Sequence, residues 1–305
     1  MNDFLQFRFV PTMKCNLKCS YCFLKHSTGD EPTMFDKIPP SIWVEAMKKF
    51  SNYDVEFYMW GGEPFCIDGT FDLVKGFAEY DFVKWARIDS NLTYAKKIAE
   101  RCPSEKIKVL CSWHTESVDF DQYWKLINYI HVKNMVGMVN FVASDSNMNY
   151  LRKNSFILNE LIKRFEDIGI FLNVAADFNK GEDQDYKYFI TQYMTVEDWD
   201  HIHGHYPSKN VLCDASQHFF TIDHDGTITS CGMQQRRFLS REYRAIKVGD
   251  FLDGVLNKKR QTRCPVNDCK CIISYHHRLD NSFNPRRHLE DYIERNSVYR
   301  KSTIK

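Results

Sequence analysis

The sequence predicts an α/β protein: a partial (β/α)6 TIM-like barrel with a small C-terminal cysteine-rich β-hairpin domain. Three observations carry that expectation. Up to about residue 190, short β-type runs recur every few tens of residues, with a helix-length amphipathic segment in each gap. Beyond residue 207 the pattern switches to alternation around Asp225-Gly226, a turn pair that favours a hairpin. The eleven cysteines are also grouped: three lie within Cys15–Cys22 and five between Cys213 and Cys271.

The expected strands are Leu5–Val10, Val55–Trp60, Val83–Ile88, Ile107–Ser112, Val136–Val142 and Ile170–Ala175. Each is a short apolar run of the length a buried parallel strand needs. The expected helices fill the gaps: Ser41–Phe50 after Pro39-Pro40, then Phe71–Glu79, Tyr94–Arg101, Tyr123–His131 and Phe156–Asp167. Six βα units are too few for a closed eight-stranded barrel and suit a partial one. One last helix is expected within Asp183–Trp199, and the run from His201 to Pro207 reads as a linker in which His201, His203 and His205 are exposed. The division expected is therefore a barrel over 1–200, a cysteine-bearing domain over 207–280, and a C-terminal helix and tail over 281–305.

Composition bounds the function. With 305 residues, a prior of about two domains applies, and a hydrophobic fraction of 43% supplies a large core. A net charge of +1 argues against a dedicated nucleic-acid binder. The chain carries no apolar stretch of the roughly 20 residues that a membrane span needs, and no secretory signal at its start, so a cytoplasmic location is expected. Disulfides are rare in that compartment, which leaves metal ligation, catalysis or burial for the cysteines. Cys66, Cys102 and Cys111 stand apart from both groups and read as small buried hydrophobes. Tyr53, Phe57, Tyr58 and Trp60 read as core packing.

Residues 15–22 run Cys-Asn-Leu-Lys-Cys-Ser-Tyr-Cys, placing Cys15, Cys19 and Cys22 on one loop just past the first strand. Three thiolates on a short loop suit three irons of a 4Fe–4S cube with the fourth iron open. Zinc is the competing reading, but a structural zinc site wants a fourth ligand and none stands at the usual spacing. After the second strand comes Trp60-Gly61-Gly62-Glu63-Pro64. Two glycines permit close backbone approach, and carbonyls with a carboxylate suit an ammonium group; a strand-ending turn would also use Gly-Gly.

At these residues the chain resembles the radical S-adenosylmethionine superfamily, whose signature is Cys-x3-Cys-x2-Cys after the first strand, with an aromatic before the third cysteine. Tyr21 fills that place. The resemblance implies that S-adenosylmethionine chelates the open iron through its amino and carboxylate groups, and that an electron from the cluster releases a 5′-deoxyadenosyl radical. It also implies cofactor contacts from Gly61, Gly62, Glu63 and Pro64, from Ser90 and Asn91 after the third strand, and from Ser112 and His114 after the fourth. All of these sit at strand C-terminal ends, the face where barrel sites form. Ser90 and Asn91 read equally well as helix caps.

In the second group, Cys213 and Cys231 form a C-x12-G-x4-C arrangement across the hairpin, and Cys264, Cys269 and Cys271 follow. This resembles the SPASM and twitch extensions of the same superfamily, which implies an auxiliary 4Fe–4S cluster and hence two clusters in the chain; a zinc ribbon is the competing reading. Five thiols for four irons leave one over. One of Cys264, Cys269 and Cys271, with Cys111 as an outsider on the active face, could then return a hydrogen atom to substrate. The expected function is oxidation of a small natural-product or sugar-like intermediate, with the auxiliary cluster taking the electron. A radical epimerase, a peptide-modifying enzyme and a non-enzymatic iron–sulfur carrier or scaffold are the alternatives. Peptide-modifying relatives commonly carry a domain ahead of the barrel, and the early position of Cys15 tilts the expectation toward a small molecule. The expected partners are that substrate, with a peptide still open, and a flavodoxin- or ferredoxin-type reductant; neither nucleic acid nor membrane is expected.

Overall fold

The computed structural model describes residues 3–22, 24, 32–194, 196, 199–200, 209–210, 212–213, 217–230, 246–258 and 262–263. Six strands run parallel and in chain order: β1 (Asp3–Phe9), β2 (Tyr53–Met59), β3 (Val83–Ser90), β4 (Ile107–Ser112), β5 (Val136–Val142) and β6 (Leu172–Ala175). Between them lie α1 (Pro40–Met47), α2 (Gly69–Ala78), α3 (Ala95–Arg101), α4 (Phe120–His131), α5 (Asp145–Lys153) and α6 (Leu158–Glu166), with α7 (Gln184–Ile190) after β6. The mixed α/β fold with a large parallel sheet is the partial-barrel class expected, and β6 forms an open edge among the described strands.

One element departs from expectation. Helix α5 was not anticipated, because its sequence DSNMNYLRK buries only Asn147 and Leu151 and so shows almost no apolar stripe. Its signal is instead the cap: Ser144 accepts a hydrogen bond from the Asn147 N–H. The helix expected within Asp183–Trp199 is α7, which ends at Ile190 in a turn, and Val196, Trp199 and Asp200 are again helical.

Alternation along the strands separates two faces. Phe7, Phe9, Val55, Phe57, Ala86, Ile88, Val109, Val139 and Phe141 face the helices and form the main core. Cys111 lies in that core too, fully buried, so it faces the helices and not the lumen, and the reading of it as an outlying hydrogen donor is overturned. Residues of the opposite parity, Arg8, Tyr58, Arg87 and Asp89 among them, line the inner face. Tyr58 and Trp60 belong there, in a separate small cluster with Val10 and Met13, rather than in the main core.

The C-terminal part adds β7 (Leu212–Cys213), β8 (Phe219–Ile222), β9 (Thr227–Thr229), β10 (Lys247–Asp250), β11 (Val255–Leu256) and β12 (Thr262–Arg263). Strands β8 and β9 form the expected hairpin, and β8 also runs parallel to β1, pairing Gln6 with Phe219 and Phe9 with Ile222. One sheet of ten strands results, in the order β11-β10-β9-β8-β1-β2-β3-β4-β5-β6. Phe251, just past β10, packs its ring 5.5 Å from Phe7, 5.3 Å from Phe9 and 5.2 Å from Phe50. Strands β7 and β12 pair separately, with Cys213 opposite Thr262.

Candidate functional site

The chain leaves β1 and crosses the strand ends as the cysteine-bearing loop. That loop lies directly on the turn after β2: the Gly62 N–H donates to the Thr12 carbonyl at 3.1 Å and the Glu63 N–H to the Lys14 carbonyl at 2.8 Å. Contact this close explains both glycines. A Cβ on Gly61, whose φ is +144°, would stand 2.2 Å from the Thr12 oxygen, and one on Gly62 would stand 2.1 Å from the Lys14 oxygen. Pro64 is buried and opens a short 3-10 turn, its carbonyl accepting from the Thr70 hydroxyl.

Glu63 ties this turn to the end of β3. Its carboxylate is buried and accepts from the Asn91 N–H at 2.6 Å, the Ser90 hydroxyl at 3.1 and 3.2 Å, and the Phe65 N–H at 3.2 Å. Burial raises its pKa to about 7, against those hydrogen bonds and with a further push from Asp89. No cationic side chain pairs with it among the described residues. The Asn91 amide in turn donates to the Asn16 side chain at 2.9 Å and stands 3.8 Å from the Cys15 sulfur. Gly61, Gly62, Glu63, Ser90, Asn91 and Cys15 thus meet at one place.

The loop after β4 grips the other end of the cysteine loop. His114 Nδ1 lies 2.7 Å from the Tyr21 hydroxyl and 3.3 Å from the Cys19 sulfur, and the two rings stack with centroids 5.9 Å apart. Burial pushes the His114 pKa down to about 4, with Glu116 opposing, so the imidazole is neutral at pH 7. Glu116 accepts from both the N–H and the hydroxyl of Ser20. The Asn179 amide donates to the Tyr21 carbonyl at 2.9 Å. Ser20, Tyr21 and Asn179, with Ser144, Ser146 and Asp177, border a polar cleft of about 190 Å³. Ser112 lies at the end of β4, half-buried.

Cys15 is exposed and Cys19 and Cys22 are half-buried. Burial and the neighbouring cysteines raise the thiol pKa of Cys15, and lift that of Cys19 to about 12. Among the described residues, no three His, Cys, Asp or Glu side chains converge as ligands of a single metal ion. Cys102 is buried as expected, but Cys66 is not: it is half-exposed, its sulfur 3.7 Å from the Asn16 side chain and 3.9 Å from the Tyr94 hydroxyl. Its place, two residues past Pro64, brings it to the cysteine loop. For Cys213 only the backbone is described, and Cys231, Cys264, Cys269, Cys271, His201, His203 and His205 lie outside the described residues.

Sequence reading missed the inner wall below this site. Arg8 lies over the Trp60 ring at 4.2 Å, Arg87 over the Tyr58 ring at 4.6 Å, and the Tyr58 hydroxyl donates to Asp89. Arg8 and Tyr58, and Tyr58 and Arg87, are register partners on adjacent strands, a fact the linear sequence does not contain. Its trace is the charged residue at every second position of otherwise apolar strands, in Phe7-Arg8-Phe9 and Trp85-Ala86-Arg87-Ile88-Asp89.

No helix among the described residues is long and apolar enough to cross a membrane. No protein-family model matches the chain, and no curated protein matches it. Solved structures do. Native anSMEcpe with bound AdoMet matches with a TM-score of 0.54 at 15% identity, over 99% of this chain and 100% of that one. Native anSMEcpe with bound AdoMet and Cp18Cys peptide matches with a TM-score of 0.51 at 15% identity, over 99% of both chains. The complex with Kp18Cys peptide matches with a TM-score of 0.53 at 15% identity, over 98% of both. The ten-stranded sheet, its helices and the loops at its strand ends thus have the fold of the radical SAM enzymes.

Proposed function

We propose that this chain is a radical S-adenosylmethionine enzyme that acts on a peptide. The observation that carries the reading is the lock between the Cys15–Cys22 loop and the Gly61–Glu63 turn, in a fold shared with AdoMet-bound structures. The residues fit the groups the fold implies. Cys15, Cys19 and Cys22 would hold a 4Fe–4S cluster: the Cys15 and Cys19 thiols resist ionisation, a cost that a multivalent centre removes. Glu63 is a buried carboxylate lacking a cation, which the methionine ammonium would supply, while Gly61, Gly62, Pro64, Ser90 and Asn91 shape that subsite. When bound, the pair supplies a 5′-deoxyadenosyl radical that removes a hydrogen atom from substrate.

The chain's own part is positional. The turn after β2 and the end of β3 keep Cys15 beside Asn91, and the β4 loop keeps Cys19 and Tyr21 in place. The pairing of Cys213 with Thr262 brings Cys213 beside the residues just ahead of Cys264, which supports an auxiliary cluster held by Cys213, Cys231 and two or three of Cys264, Cys269 and Cys271. The two matched peptide complexes, covering nearly all of each chain, favour a peptide over a small metabolite. In our reading the auxiliary cluster takes the substrate electron, so product is two mass units lighter than substrate. A product of unchanged mass in ordinary water, and one mass unit heavier in deuterated water, would assign an epimerase instead. The enzyme class is tested by anaerobic incubation with dithionite and S-adenosylmethionine: 5′-deoxyadenosine is expected on chromatography, and its absence from protein with full iron content would leave an electron carrier.

A further inference from the structure

The β4 loop does more than border the site. Its imidazole is turned onto the cysteine loop, where Nδ1 lies within reach of both the Cys19 sulfur, at 3.3 Å, and the Tyr21 hydroxyl, at 2.7 Å. Ring stacking between Tyr21 and His114 fixes that orientation. The same loop anchors the residue between them, since Glu116 receives two hydrogen bonds from Ser20. On the far side, Asn179 holds the Tyr21 carbonyl at 2.9 Å. Cys19, Ser20 and Tyr21 are thus each gripped by a side chain from another strand-end loop. The Cys15 sulfur has the Leu17 N–H of its own loop at 3.4 Å and the Asn91 amide at 3.8 Å.

We infer that His114 and Tyr21 are the hydrogen-bond donors to the Cys19 sulfur when that sulfur is an iron ligand, and that they set the reduction potential of the cluster. This rests on the proposed cluster at Cys15, Cys19 and Cys22. The chemistry follows from donor and acceptor capacity. A ligating thiolate offers lone pairs only, so its hydrogen-bonding neighbours serve as donors. A neutral imidazole carries one N–H, and the nitrogen facing sulfur is Nδ1, which selects the tautomer protonated there. That one N–H is shared between the sulfur at 3.3 Å and the phenol oxygen at 2.7 Å, which leaves the phenol O–H to donate to the same sulfur, its side-chain partner. Hydrogen bonds to cluster sulfurs are among the terms that set an iron–sulfur potential. Donors withdraw charge from the thiolate and favour the reduced, more negative cluster, so they raise the potential. His114 and Tyr21 are therefore positioning residues that act through Cys19.

The test is an anaerobic redox titration of reconstituted protein, followed by electron paramagnetic resonance of the reduced cluster, with the Cys213 and Cys231 double alanine variant as background to isolate the first cluster. His114→Phe, which keeps a ring but loses the N–H, is expected to hold the cluster at wild-type iron content with its midpoint shifted to more negative potential. Tyr21→Phe is expected to shift it in the same direction. His114→Asn places an amide N–H near the Nδ1 position and is expected to restore most of the shift. Midpoints for all three variants that coincide with the parent would overturn the inference while leaving the cluster in place. If His114→Phe does not load, Tyr21→Phe and His114→Asn decide: a shift in the first and its absence in the second support the inference, and any other pattern contradicts it. A parent protein with no cluster signal would instead refute the underlying reading of Cys15, Cys19 and Cys22.

Discussion

Glu63 is the residue where packing and chemistry conflict most sharply. It is almost fully buried, accepts hydrogen bonds from Ser90, Asn91 and Phe65, and still has its pKa raised to about 7. Glu63→Gln is expected to weaken S-adenosylmethionine binding by about 1–3 kcal/mol without changing iron content, as isothermal titration and iron analysis would show. A pH effect follows from the same burial. A carboxyl near 4.5 in the unfolded chain and near 7 in the fold binds more protons when folded. Its contribution to stability is therefore intact below about pH 4.5 and is lost as pH rises toward 7. Thermal melts should show wild type losing ground to Glu63→Gln across that window, and parallel pH profiles would contradict this. The candidate ligands Cys15, Cys19 and Cys22 were legible because their spacing is local. Arg8, Arg87 and Asp89 were not, because they meet only when separate strands pair in register.

At the scale of elements, the contact between the cysteine loop and the β2 turn makes the strictest demand on sequence. Gly62→Ala drives a methyl group to 2.1 Å from a backbone oxygen, which no rotamer relieves. The expected cost is on the order of 1–3 kcal/mol, read by denaturant unfolding, together with impaired iron uptake at Cys15–Cys22. Unchanged stability and uptake would show that the loop has room to move. The strands were the easier elements to read, since the face turned to the helices keeps an apolar residue at every second position. Helix α5 was hidden because its stability comes from the Ser144 cap and from Asn147, which donates to the Val142 carbonyl, rather than from an apolar stripe. The Gly-Gly-Glu-Pro turn was legible as a motif, but not the reason for its glycines, which is the neighbouring loop.

At the scale of the molecule, the sheet continues from the barrel strands into the hairpin through the β1–β8 pairing. Phe251 reinforces that seam by sitting among Phe7, Phe9 and Phe50. Phe251→Ala should cost about 3–5 kcal/mol and lower one shared unfolding transition of β1 and β8, followed by hydrogen exchange. Exchange that protects β1 while β8 opens freely would contradict a common core. The hairpin itself was readable from Asp225-Gly226, but its partner was not, because β1 lies more than two hundred residues earlier. The account as a whole joins one cysteine loop to S-adenosylmethionine cleavage, and a second cysteine group to a separate cluster. Both are read in one measurement: iron per chain and 5′-deoxyadenosine formed, in wild type and in the variant with Cys15, Cys19 and Cys22 all changed to Ala. Wild type is expected to hold about eight irons and to form 5′-deoxyadenosine, and the variant to hold about four and form none. Equal iron and equal 5′-deoxyadenosine in the two proteins would contradict the account.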